Sequence, residues 1–151
     1  MTILYPGMVL FPYEAKWAAH KTIILSNVLP DNKIITVNMT SKKETSDTTS
    51  VLHKSDYDLL EHPTIIEYYR MEFDNVDIIE RSIKERRLNV NKKLSDDILK
   101  YVQRGACLSS ALNNKYRCYC CRLFCKCPRD DTDELDRCPD CHDISKRCNG
   151  L

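Results

Sequence analysis

The segment from Lys21 to Ser41, KTIILSNVLPDNKIITVNMTS, constrains the fold more than any other part of the chain. Two runs rich in β-branched residues, Thr22 to Leu25 and Ile34 to Met39, flank Pro30-Asp31-Asn32, which favours a turn. The first run is continuously apolar, as in a strand buried on both faces, whereas apolar and polar residues alternate in the second. The pattern predicts two consecutive strands, and the second one presents three polar side chains on one face: Thr36, Asn38 and Thr40.

Three further strands are predicted on either side of this hairpin, at Met8 to Tyr13, Thr49 to His53 and Thr64 to Phe73. Pro12 places the first of them at a sheet edge, because proline cannot donate a hydrogen bond to a neighbouring strand. The third is β-branched and aromatic along most of its length.

Two helices are predicted from capping residues. Ser55 begins a short helix that closes at His62-Pro63, and Ser95, followed by two aspartates, begins a longer one. Asp77 to Ile83 fits either a short strand or one helical turn. The basic run Lys84 to Lys93 is typical of a solvated loop.

Length and charge narrow the class of protein. The 151 residues suffice for one domain with or without a small appendage, and a formal net charge of +1 gives no electrostatic argument for nucleic acid. No secretory signal pattern is seen at Met1 to Gly7, and no run approaches the roughly 18 apolar residues that a membrane helix needs. We therefore expect a cytoplasmic protein with no membrane partner, in which the nine cysteines are reduced.

The order and spacing of several short motifs resemble the PemK/MazF family of toxin endoribonucleases, over about residues 5 to 104. The motifs are Pro6-Gly7-Met8-Val9-Leu10, Thr22 to Asn27, Ile35 to Ser41, Leu59 to Tyr68, and the helix start Lys93 to Leu99. The resemblance implies an α+β, mainly β fold, an SH3-like small barrel with a C-terminal helix. It also implies a toxin–antitoxin role, a homodimer, single-stranded RNA as substrate, and an antitoxin or another protein as a possible partner.

The family cleaves RNA without a metal, by attack of a ribose hydroxyl on the adjacent phosphate. Thr40, with Ser41 beside it, falls on the family's catalytic hydroxyl. The family's arginine before the second strand is replaced here by His20-Lys21. Lys21 supplies a charge without the two-point grip of a guanidinium, and His20 is able to carry a proton near neutral pH. The alternative is that His20 is an ordinary loop histidine and that activity is lost.

Candidate RNA-binding residues lie in two other places. Lys16 and Trp17 precede the second strand, where an aromatic ring beside a cation is able to stack a base and contact a phosphate. The alternative for Trp17 is that it caps the barrel. Arg70, in the strand from Thr64 to Phe73, is assigned the same RNA-binding role.

The C-terminal tail is rich in cysteine and matches nothing in the family. Cys138-Pro139-Asp140-Cys141 is a Cys-x-x-Cys motif, and the five cysteines between residues 118 and 127 are typical of the other half of a zinc ribbon. We predict a zinc-binding module at residues 113–151, appended to a barrel domain at 1–112, with one or two structural Zn²⁺ ions whose ligand pairing the sequence leaves open. The candidate ligands are Cys118, Cys120, Cys121, Cys125, Cys127, Cys138, Cys141 and Cys148. Cys107 is expected to be a buried thiol.

Two function classes follow from these observations. In the first, the chain is an endoribonuclease whose zinc module contacts RNA or a partner. In the second, it is a catalytically inactive barrel with a zinc module that binds and regulates a protein or a nucleic acid. A tail that only clips the last helix is compatible with both. The replacement at His20-Lys21 is the feature that separates the two classes.

Overall fold

The computed structural model describes residues 3–13, 20–44 and 46–125, and these residues fold around a six-stranded sheet. The strands are β1 Val9–Pro12, β2 Lys21–Ile24, β3 Lys33–Ser41, β4 Val51–Leu52, β5 Thr64–Asn75 and β6 Leu88–Asn91. The helices are α1 Val76–Lys84, α2 Asp96–Leu108 and α3 Asn114–Cys120, and α3 continues into a π-helical turn, Cys121–Cys125. The described residues therefore form an α+β protein that is mainly β.

The six described strands form a curled, half-barrel sheet in the order β4-β5-β3-β2-β1-β6, in which all neighbouring strands are antiparallel. The two consecutive strands predicted between Lys21 and Ser41 are confirmed as β2 and β3, and they pair as an antiparallel hairpin at the centre of the sheet. Its turn places Asn32 at a φ of 60°. This left-handed conformation is one that asparagine tolerates better than most residues.

The two faces of the sheet pack against different helices. Ile23, Val37 and Met39 lie on the inner face, in one apolar cluster with α2 and α3. Ile24 and Ile34 lie on the outer face, in a second cluster with α1. Because successive side chains of a strand point to opposite faces, the alternation along β2 and β3 assigns each residue to one cluster or the other.

Several predicted elements differ from the structure. β1 lies between β2 and β6, so it is not the edge strand that Pro12 predicts. β2 pairs only with the first two residues of β1, so no residue of β2 needs a hydrogen bond from the nitrogen of Pro12. Residues 55–62 form turns rather than a helix, because the Asp56 carboxylate accepts from the backbone N–H of His53 and closes a turn there. The basic run predicted as a loop contains the edge strand β6. The ambiguous segment at 77–83 belongs to α1.

Helix α2 begins as predicted and fixes β5 in place. The Ser95 hydroxyl accepts from the N–H of Ile98. From β5, the fully buried Tyr68 hydroxyl donates to the carbonyl of Val102 at 2.7 Å, and burial raises its pKa. A Cβ at Gly105 would overlap this hydroxyl, so the strand and helix approach closely only because residue 105 is glycine. Tyr68 thereby anchors the middle of β5.

The first part of the predicted zinc module packs against the sheet. The ring centroid of Phe73 in β5 lies 5.0 Å from that of Tyr116 and 5.5 Å from that of Tyr119. The sulfur of Cys120 lies 3.7 Å from that of Met71. The boundary predicted after residue 112 thus falls between packed helices, and the division into two domains stays a prediction. Cys107 is buried as expected.

Candidate functional site

A pocket of about 740 Å³ opens on the outer face, at the end of β2, β3 and β5 that α1 does not cover. Polar and charged side chains dominate its lining. The lining residues are His20, Thr40, Ser41, Lys43, Ser46, Asp47, Ile65, Glu67, Tyr69, Arg70, Ser110 and Ala111.

Strand register explains how these residues come together. Lys21 pairs with Met39, so His20, one residue earlier, lies next to Thr40. Asn38 pairs with Glu67, and Thr40 pairs with Ile65. Cross-strand partners share a face of the sheet, so the polar face predicted for β3 carries the carboxylate of Glu67 beside it.

A bulge in β5 adds two more side chains to the pocket. Thr36 pairs with Glu72 and Asn38 with Glu67, so residues 68–71 all lie opposite Val37. A regular strand would send consecutive side chains to opposite faces, but here both Tyr69 and Arg70 are exposed and line the pocket. The bulge therefore places a phenol and a guanidinium beside Glu67.

Glu67 is the centre of a compact polar cluster. Its side chain is 7% exposed, and Oε1 lies 3.2 Å from Nδ1 of His20, although the angles are not those of a hydrogen bond. Oε2 accepts from the hydroxyl of Tyr69 at 2.8 Å, and that hydroxyl accepts from Nε of Arg70 at 2.9 Å. The buried Glu67 carboxylate thus lies beside the imidazole of His20 and is linked through the hydroxyl of Tyr69 to the guanidinium of Arg70.

The positive charge of the pocket comes from its rim. The hydrogen bond to Tyr69 and the nearby Glu67 carboxylate raise the pKa of Arg70, so the guanidinium stays charged. Nε of Arg70 lies 3.6 Å from the Glu67 carboxylate. Lys43 lines the pocket from the loop after β3. An anion entering the pocket would meet both cations and the hydroxyls of Thr40 and Ser41.

The pocket wall formed by Ser46 and Asp47 is tied to the end of α2. The Ser109 hydroxyl donates to Asp47 Oδ2 at 2.6 Å, and the backbone N–H of Thr49 donates to Oδ1 at 2.9 Å. Partial burial would raise the pKa of Asp47, but these hydrogen bonds hold it below its ordinary value. The Asp47 carboxylate therefore serves to hold the pocket wall in place.

The structure brings four of the predicted site residues together and separates a fifth. His20, Thr40, Ser41 and Arg70 all line the pocket. Lys21 does not, because it points to the other face of β2, with Nζ 4.9 Å from the ring centroid of Phe11. Lys16 and Trp17, predicted to bind RNA, lie outside the described residues.

Sequence reasoning missed Glu67 and Tyr69. Both belong to the strand TIIEYYRMEF, in which Glu67 follows two isoleucines and precedes two tyrosines. A carboxylate with such apolar and aromatic neighbours is costly to bury unless it has a partner, and this would have identified Glu67. The bulge that aims Tyr69 at the pocket has no comparable mark in the sequence.

Three of the predicted zinc ligands have described side chains. Cys118, Cys120 and Cys121 are buried, and the sulfur of Cys118 is disulfide-bonded. Within the described ranges, no group of three or more His, Cys, Asp and Glu side chains is placed to hold a metal ion. The side chain of Cys125 and all of Cys127, Cys138, Cys141 and Cys148 lie outside the described part.

Comparison with known proteins adds no relative. Neither the protein-family models, nor the curated proteins, nor the solved structures gave a match to this chain. Among the helices of the described residues, none combines the length and the apolar character required to cross a membrane.

Proposed function

We propose that the chain is a metal-independent endoribonuclease of the PemK/MazF type, built on an SH3-like barrel, which cleaves single-stranded RNA in the pocket around Glu67. One observation carries the proposal. A buried carboxylate lies in contact distance of His20 and is linked through Tyr69 to Arg70, beside the hydroxyl of Thr40. This set offers a proton carrier, a cation and a hydrogen-bond donor within one pocket.

These groups match the needs of RNA cleavage by its own ribose. The 2′-oxygen attacks the adjacent phosphorus and gives up its proton, the bond from phosphorus to the 5′-oxygen breaks, and that oxygen takes a proton from water. The products are a 2′,3′-cyclic phosphate and a 5′-hydroxyl. The reaction requires a base for the 2′-hydroxyl and positive charge or hydrogen-bond donors for the phosphate oxygens.

The geometry favours particular roles. His20 is 39% exposed, with Nδ1 turned to Glu67. In the proposed mechanism Glu67 orients the imidazole, and Nε2 takes the proton of the 2′-hydroxyl. Arg70 balances the charge that develops on the phosphate, and Thr40 donates to a phosphate oxygen. This assignment gives Arg70, rather than Lys21, the role of the essential cation.

The test is cleavage of a long unstructured RNA by the purified full chain in the presence of a chelator. We expect 5′-hydroxyl products, and a fall in rate of about 10²- to 10⁴-fold for His20→Ala, because a positioned general base is worth that much. Added imidazole should restore part of the activity of His20→Ala. Lys21→Ala is the matched control, and its rate should stay within about threefold of wild type, since surface charges act weakly at a distance.

Two outcomes would contradict the proposal. If RNA is bound but stays intact in all buffers, the chain is a binding module, and the inactive barrel with a regulatory role replaces the enzyme. If cleavage occurs but Lys21→Ala abolishes it while His20→Ala does not, the site lies elsewhere. A homodimer in the cytoplasm and an antitoxin or other protein partner are part of the same proposal.

We also propose that the tail binds one or two structural Zn²⁺ ions through its cysteines. Elemental analysis of protein purified without added metal should give at least one zinc per chain. Thiol alkylation in parallel reports the state of Cys118, because a sulfur in a disulfide does not act as a thiolate ligand. A zinc content near zero would remove this part of the proposal.

A further inference from the structure

Tyr69 is exposed and yet held firmly. Its side chain lies at the surface, and the residue is 56% exposed. Its hydroxyl nevertheless makes two hydrogen bonds, to Glu67 Oε2 at 2.8 Å and from Arg70 Nε at 2.9 Å. Those bonds fix the ring at the rim instead of letting it fold onto the apolar surface.

The backbone reinforces this position. Tyr68, the preceding residue, is buried and bonded to Val102 and Ser50. Tyr69 lies in the bulge that follows, so its direction is set by an anchored neighbour on one side and by the bonded hydroxyl on the other. An aromatic ring that loses little freedom on binding is well suited to contact a ligand.

The surroundings of the ring indicate the class of ligand. The Arg70 guanidinium lies over the Tyr69 ring, with its carbon 5.4 Å from the ring centroid. Among the described residues lining the pocket, Tyr69 is the one tyrosine, phenylalanine or tryptophan, and Arg70, Lys43, Thr40 and Ser41 supply contacts for phosphate. A flat ring next to a phosphate-binding pocket matches one repeat of a single-stranded nucleic acid, a base beside its phosphate.

We propose that Tyr69 is the stacking platform for the nucleobase next to the scissile phosphate. That this phosphate is the one cleaved rests on the proposed function, but the stacking itself does not require cleavage. Stacking accepts any base and favours the larger purine ring, so the protein should select its RNA weakly at this position and prefer a purine there. Tyr69 would therefore determine where the RNA binds, while Glu67 and His20 determine whether it is cleaved.

The test uses a 2′-deoxy oligonucleotide, which lacks the attacking hydroxyl and stays intact, with the full chain. Tyr69→Ala should weaken binding about 10- to 100-fold, whereas Tyr69→Phe, which keeps the ring, should bind within about twofold of wild type. The control is Tyr101→Ala, which removes another exposed tyrosine outside the pocket and should leave binding unchanged. Tyr69→Phe should instead lower the cleavage rate of RNA, because loss of the hydroxyl removes its hydrogen bonds to Glu67 and from Arg70.

A scan with single abasic positions locates the stacked base. Wild type should lose affinity most at one position, and Tyr69→Ala should lose no further affinity there, since the two changes remove the same contact. The inference is overturned if Tyr69→Ala binds as wild type does, if Tyr69→Phe is as weak as Tyr69→Ala, or if the chain binds no oligonucleotide. RNA that stays intact while Tyr69→Ala still weakens binding would contradict the proposed function and leave the platform standing.

Discussion

The outer face of the sheet is divided into two halves with opposite surroundings. In the covered half, Ile24 and Ile34 are fully buried beneath Val76 and Ile79 of α1. In the open half, the same strands carry Thr22 and Asn38, and β5 adds Glu67. The two halves are only two to four residues apart along each strand. An apolar helix covers the first half because no polar group loses its hydration there. Over the second half, such a helix would leave a carboxylate buried without a polar partner.

The difference teaches where a small β protein is able to place chemistry. The covered half and the inner core supply the stability, so the open half need not contribute any. The open half is therefore able to hold a buried carboxylate beside an imidazole, a pair that adds little to the free energy of unfolding.

The largest effect is expected in the covered half. Ile24→Ala should lower the free energy of unfolding by about 2 to 5 kcal/mol, because it empties a fully buried site. Thr22→Ala, two residues earlier, loses one hydrogen bond to Asn38 Oδ1 at 3.1 Å, which is worth about 1 kcal/mol. Denaturant unfolding of both variants measures the contrast. Equal losses would mean that the two halves do not differ in this way.

Glu67 should show the reverse relation between stability and activity. Glu67→Gln should lower the rate of RNA cleavage by about 10- to 100-fold, because the amide orients His20 without a charge. Glu67→Leu should abolish cleavage and leave the free energy of unfolding within about 1 kcal/mol of wild type, since His20 and Tyr69 are exposed enough to turn to water. A loss of several kcal/mol in Glu67→Leu would show instead that the carboxylate holds the sheet together.

The two threonines of β3 allow a finer comparison on one strand. Thr40→Val should reduce cleavage about 10- to 100-fold, through loss of a hydrogen bond to a charged phosphate. Thr36→Val removes the bond of 2.5 Å to Asp74 Oδ2 and should cost stability but little activity, because Thr36 does not line the pocket. Rates and unfolding curves of both variants are needed. Equal activity in the two would exclude a role for the Thr40 hydroxyl.

Much of this division follows from alternation along the sequence. The pattern of β2 and β3 predicted two consecutive strands with Thr36, Asn38 and Thr40 on one face, and the registers confirm both. The N-cap at Ser95 was predictable too, because a local hydrogen bond decides it.

What the sequence could not supply depends on contacts between distant segments. Glu67 belongs to the site because it pairs with Asn38, which is distant in the sequence. Tyr69 belongs to it because of the bulge in β5. His20 and Lys21 were indistinguishable as neighbours in the chain, but strand geometry sends one to the pocket and the other to Phe11. The helix predicted from Ser55 was wrong because the turn closed by Asp56 satisfied the backbone first.

The smallest effect is expected at the boundary between the halves, where Glu72 pairs with Thr36 next to Asp74. Partial burial and the negative charge of Asp74 raise the pKa of Glu72 above its ordinary value. A carboxyl group whose pKa is raised by folding binds more protons in the folded state, so it costs stability once the pH exceeds that raised pKa and costs none below the unfolded value. Glu72→Gln should therefore be more stable than wild type at pH 7, by less than about 1 kcal/mol because solvent screens the pair. The gain should disappear as the pH falls below the unperturbed glutamate pKa of about 4.3, and unfolding free energies of both proteins across this range would show it. A gain that is independent of pH would assign the effect to packing, and a loss at pH 7 would mean that Glu72 supports the open half instead of opposing it.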